Sequence, residues 1–179
     1  MRMKIRAIIT IFTLWLSILS PVAAGAATCP PSSVDGETIG KIQVNNVSVN
    51  IKSVKYPKGG ALTPPRSPLN AGISMRHMPL SSDLGTSVIA WHVNFNGCQG
   101  KLNVLSKESI GFEFSVVDEN GDTDLYRITE KFTVKKGDYE PEWFDLSGPR
   151  KLLLVTCTGK VVNGSYLKNL VLMAEPIRG

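Results

Sequence analysis

The chain has 179 residues, 20 Lys and Arg against 15 Asp and Glu, and a formal net charge of +5 at neutral pH. That length holds one domain with a proper core, or a smaller domain behind a targeting segment. Three of the cations (Arg2, Lys4 and Arg6) crowd the N-terminus, and the remaining excess is small and dispersed, which argues against a nucleic-acid partner.

The first residues, "MRMKIR", form a basic n-region. The apolar run "AIITIFTLWLSIL" follows, and "SPVAAGAA" then offers small residues around Ala24-Gly25-Ala26, a pattern expected at a signal cleavage site. Residues 1–27 therefore read as a signal peptide or, if uncleaved, as an N-terminal membrane anchor, since residues 7–27 are long enough to span a bilayer. Residues 28–38, "TCPPSSVDGET", are rich in Pro, Ser and Gly and read as a linker. Residues 39–179 make up the domain.

Within it, residues 47–54 ("VSVNIKSV") alternate apolar and polar positions and predict a half-buried strand. Residues 56–72 are crowded with Pro and Gly and predict irregular chain. Residues 87–95 ("SVIAWHVNF") form an apolar, β-branched run expected as a buried strand. Residues 110–118 and 125–134 predict a hairpin turning at "NGD". "EWFDL" reads as a short helical turn, and "KLLLVTC" and "SYLKNLVLMAEP" as the last two strands, joined by "TGKVVNG". No stretch of the domain keeps a helical period, so the prediction is an all-β barrel or sandwich.

Cys157 ends the apolar run "LLLVTC", where a buried cysteine is usually a small hydrophobe and, with a base nearby, is a nucleophile. The chain has three cysteines. A Cys29–Cys98 pair would close a long loop and leave Cys157 reduced; sequence alone does not show that the two meet, and an odd cysteine can also serve as an intermolecular link. His92 lies inside "VIAWHVN", where an ionisable ring is costly unless partnered. A histidine at one strand end and a cysteine at another is the arrangement that thiol enzymes use.

"LLLVTC" resembles the sortase signature, an apolar strand ending in Thr-Cys, and "TSVIAWHVNFNG" resembles the strand and turn that carry the sortase histidine. "GKIQVNNVSVNIKSV", "GALTPP", "NAGISM" and the closing "SYLKNLVLMAEP" are similar to further parts of class F and related sortases. The resemblance implies a closed eight-stranded β-barrel, with short helices or turns in its connections, acting as a cysteine transpeptidase. Such an enzyme cuts an LPXTG-like sorting signal through a thioester and passes the acyl group to an amine, such as a peptidoglycan precursor. Cys157 is then the nucleophile and His92 the proton carrier, and Thr156 and Trp91 are expected to border the substrate. The implied place of work is the outer face of a Gram-positive-type cell, with contact to the membrane through an uncleaved N-terminus.

The family's arginine, early in the last strand, is missing: "YLKN" puts Leu167 in its place and Lys168 next to it. Lys168 is the expected substitute if a bulge turns it inward, with Arg150 as another cation or a structural cap. Loss of that arginine also motivates a second reading, a sortase-fold binding or structural protein with little or no turnover. Trp91, where Gly is common, is expected to narrow the groove or pack outside the barrel. "DENGDTD" reads as a solvated turn, because Gly121 is misplaced for an EF-type calcium loop. His77 reads as a surface loop residue. No phosphate loop, Ser-His-Asp signature or zinc spacing is present, so no cofactor or metal is expected.

Overall fold

A computed structural model describes residues 28–55 and 62–177. Residues 1–27, expected as signal or anchor, lie outside the described residues, and among those described no helix is long and apolar enough to cross a membrane.

Strands β1 (Thr38–Val44) and β2 (Val47–Val54) form a hairpin that turns at Asn45, in the left-handed region at φ 51°. β3 (Asn70–Ser74) runs parallel to β2, and β4 (Thr86–Trp91) runs antiparallel to β3. A small hairpin, β5 (Asn94–Phe95) with β6 (Cys98–Gln99), projects just beyond β4. β7 (Glu113–Val117) and β8 (Thr123–Lys135) pair through the expected turn, where Asp118 Oδ1 accepts from the N–H groups of Asn120 and Asp122. β9 (Lys151–Val162) and β10 (Ser165–Pro176) complete the set. Eight strands close into a barrel in the order β1-β2-β3-β4-β9-β10-β8-β7, as the all-β expectation required. The "EWFDL" turn is a 3-10 turn, Pro141–Phe144.

β4, β9 and β10 are apolar on both faces. Ile89, Leu154 and Leu172 point into the barrel, whereas Val88, Leu153, Val171 and Met173 pack outside under Phe132, Trp143 and Phe144. Burial on two sides explains why these strands read as continuous apolar runs rather than alternating ones.

Several boundaries differ from expectation. The run 87–95 leaves the barrel after Trp91, because the chain turns there into the β5–β6 hairpin. β3 begins within the last residues of the segment expected to be irregular, 56–72. Its small residues suit a strand squeezed between neighbours: a Cβ at Gly72 would come within 2.8 Å of both Pro65 and Val54. "TGKVVNG" is mostly strand, with only Asn163-Gly164 (φ 48° and 77°) as the turn, a pair suited to a tight hairpin. Residues 28–38, expected as a linker, are fastened to the barrel by a Cys29–Cys98 disulfide (Cα–Cα 5.5 Å) and by a 3-10 turn, Ser32–Asp35.

Candidate active site

β4 and β9 are parallel neighbours with Trp91 opposite Thr156, so the next residues, His92 just past the end of β4 and Cys157 midway along β9, emerge side by side. The Thr156 hydroxyl donates to the Trp91 carbonyl at 2.8 Å and pins the two ends together. Alternation along β9 sends Thr156 toward the interior and Cys157, with Leu153 and Val155, to the outer face. There Cys157, the chain's free cysteine among the described residues, and His92 share a groove of about 500 Å³. Val88, Ala90, Val155, Leu62, Pro64 and Phe144 give that groove its apolar surface.

The imidazole of His92 is held from several directions. Phe95 stacks on it, with ring centroids 4.8 Å apart, and Pro64 of the neighbouring loop borders the same groove. Its backbone is clamped by Gly100, whose N–H donates to the Val93 carbonyl at 2.8 Å. Asn103 donates to that same carbonyl at 2.6 Å and accepts the Trp91 indole N–H at 3.2 Å. Burial pushes the His92 pKa down, against the Pro65 hydrogen bond and the Asp35 charge, which both raise it. The neutral imidazole is thereby favoured, as a proton acceptor requires.

Trp91 is 1% exposed and packs in the barrel interior, so it does not pack outside the barrel. Trp91 and Thr156 both border the groove, but their polar side-chain atoms are committed to Asn103 and to the Trp91 carbonyl.

Lys168 is not in the groove. It pairs with Thr158 and Lys135, is exposed, and its side chain lies over Gly159. A register shift does occur, with Gly159 at φ 81°, but it falls between Tyr166 and Lys168, on the hairpin side of the Lys168–Thr158 pair, and does not rotate the lysine inward. Leu167 sits at that shift and is 48% exposed. The residue opposite Cys157 is Asn169, 6% exposed, whose Nδ2 donates to the Tyr139 hydroxyl. Lys136, just past β8, adds a cation to the groove rim.

The sequence matches no family model and no curated protein. Solved structures do match. A lid mutant of sortase C1 from Streptococcus agalactiae superposes at a TM-score of 0.62 with 17% identity, covering 80% of this chain and 71% of that one. Sortase A from Corynebacterium diphtheriae gives 0.60 at 17%, covering 79% and 61%, and sortase C from Clostridium perfringens SM101 gives 0.60 at 15%, covering 80% and 72%. The fold is the sortase fold.

On this sortase barrel Arg150 stands at the far end of β9 from the thiol. Its guanidinium donates to the Leu80 carbonyl at 2.7 Å and to Asp124 at 2.6 Å, and lies 5.6 Å from the Tyr126 ring centre. Burial raises the Tyr126 pKa to about 12. Arg150 is thus a structural tie and not a cation for the groove. His77, expected on the surface, is half-buried against Phe144 and borders a smaller cavity of about 350 Å³. Sequence reading missed Asn169, Tyr139, Lys136, Asn103 and Gly100. For Asn169 the usable signal was its place in the β9–β10 ladder, which depends on the bulge at Gly159.

Proposed function

We propose that the chain is an exported cysteine transpeptidase of sortase type, with Cys157 as nucleophile and His92 as proton carrier. The supporting observation is their arrangement, side by side just past the last β4–β9 pair and facing one groove. The Cys157 thiol passes its proton to His92, and Sγ attacks the Thr carbonyl carbon of an LPXTG-like sorting signal. The amide C–N bond breaks to leave a thioester, and His92 delivers a proton to the departing amine. An acceptor amine, such as that of a peptidoglycan precursor, then attacks the thioester and gives a proton to His92, which hands it to the departing Cys157 sulfur as the C–S bond breaks and the thiol is released. The apolar groove surface suits the Leu and Pro of such a signal, and Asn169 and Lys136 meet the oxyanion in place of Lys168. Class F is the class that the strand sequences at 111–134 and the closing "SYLKNLVLMAEP" resemble, and the N-terminal signal favours work at the outer cell surface.

A second reading, a sortase-fold binding protein without turnover, is favoured by one observation: the side chain opposite the thiol is neutral. Incubation with a library of LPXTG-like peptides and an amine, followed by mass spectrometry, separates the two. Transpeptidation product that vanishes in both Cys157→Ala and His92→Ala supports the enzyme. Peptide bound with no thioester and no product supports the binding protein.

A further inference from the structure

Leu62, Thr63 and Pro64 border the same groove as His92, and the carbonyl next along that loop, that of Pro65, favours the protonated imidazole. A carbonyl orients a ring only as firmly as its own loop is held, and this loop carries Pro64, Pro65 and Pro68 in irregular chain. Three hydrogen bonds to one side chain hold it. Asp35 Oδ1 accepts from the Arg66 N–H at 2.6 Å, and Oδ2 accepts from the Ser67 N–H at 3.0 Å and from Asn70 Nδ2 at 2.7 Å. The segment that carries Asp35 adds two more ties: Ser67 Oγ donates to the Pro30 carbonyl at 2.7 Å, and Asn70 Nδ2 donates to the Ser32 carbonyl at 2.9 Å. Through Cys29 the same segment is bonded to Cys98, in the hairpin whose Phe95 stacks on His92. Both neighbours of the imidazole, Pro65 and Phe95, are therefore tied to one N-terminal clasp.

We propose that Asp35 is a positioning residue for His92: its carboxylate fixes the turn that presents the Pro65 carbonyl to the imidazole, and the Cys29–Cys98 disulfide locks that clasp in place. A carboxylate acting through one backbone carbonyl here takes the part that a directly bonded carboxylate plays in other His-dependent sites. Its charge also opposes the desolvation of the ring. The other ionisable groups bordering the groove, among the described residues, are Cys157, Lys136 and Tyr139, and none belongs to the clasp. Orientation and protonation of His92 exist without substrate, so only the effect on turnover rests on the proposed function.

The test is an NMR titration of the two histidines, with His92 assigned by means of His77→Gln. Asp35→Asn keeps the shape and removes the charge. The His92 midpoint should fall by roughly half a pH unit, with His77 unmoved and Asp35→Glu recovering part of the fall. The double variant Cys29→Ser with Cys98→Ser should shift His92 the same way, less far, and speed hydrogen exchange at the Arg66 and Ser67 amides. An unmoved His92 midpoint in Asp35→Asn overturns the proposal, whatever the chain does to peptides. Should Asp35→Asn fail to fold, the double variant decides by the same readouts: unmoved His92 with unchanged exchange overturns it. If sorting peptides are turned over, the limb of the pH–rate profile set by His92 should move with the midpoint. A moved midpoint in a protein without turnover keeps the clasp and rejects only the enzyme.

Discussion

Asn169, not Lys168, faces Cys157 across the β9–β10 ladder. Cross-strand partners share a face, and their neighbours take the other. Asn169→Ala should therefore lower transpeptidation by roughly a hundredfold, the usual cost of one oxyanion donor. Lys168→Ala should leave the rate unchanged. Rates from product mass spectrometry decide, and an equal loss in both variants would refute this register-based assignment.

Gly100 has no room for a side chain. A Cβ there would stand 1.7 Å from the His92 carbonyl oxygen, which is backbone and must be displaced. Gly100→Ala should cost about 2–4 kcal/mol of stability, the range in which backbone clashes fall. In whatever folded protein remains, turnover should vanish while Cys157 still accepts a thiol label. A melting curve within a degree or two of wild type would contradict the clash.

Arg150 holds Leu80 and Asp124 together beside the Tyr126 ring, so its removal leaves partly buried partners unmet. Arg150→Met should cost about 1–3 kcal/mol, read by denaturant titration. The rate per folded molecule should not change, because the residue is remote from the groove. A lower rate at unchanged stability would return Arg150 to the list of groove cations.

Both histidines are held below their ordinary pKa, chiefly by burial. A lowered histidine pKa means that the unfolded chain binds the proton first as pH falls. Their contribution to stability is complete above the ordinary histidine value of about 6.5 and declines as pH drops through the folded values. Thermal midpoints should accordingly fall between about pH 7 and pH 5.5, and the slope should flatten in His77→Gln and again in His92→Gln. A slope that is the same in wild type and both variants would remove the histidines from the account.

How much of this was legible depends on how many faces of each strand meet the core. β7 and β8 show polar positions between Phe114, Val116, Tyr126 and Ile128, and alternation disclosed them. β4, β9 and β10 are covered on both sides, so their apolar runs revealed that strands exist but not which way each residue points. Cys157 and His92 could still be found, because each puts a reactive side chain in or at the close of such a run. Lys168 could not be told from Asn169, because the choice depends on a bulge at Gly159 that appears only once β9 and β10 are paired. Asp35 was hidden differently: it sits among Pro, Ser and Gly, a composition that reads as slack chain until its carboxylate is seen bonded to Arg66 and Ser67.

The parallel pairing of β4 with β9 also sets when the thiol and the imidazole can come together. Antiparallel neighbours can grow from a tight turn, but a parallel pair must wait for a crossover, and here that crossover is the whole of residues 92–150. Loop closure over such a span is entropically late and slow, after local hairpins such as β7–β8 and β9–β10 have formed. Until β9 docks on β4, the thiol of Cys157 has no imidazole beside it. A nascent or stalled chain therefore carries the two groups apart, and assembly of the barrel is itself the step that arms them.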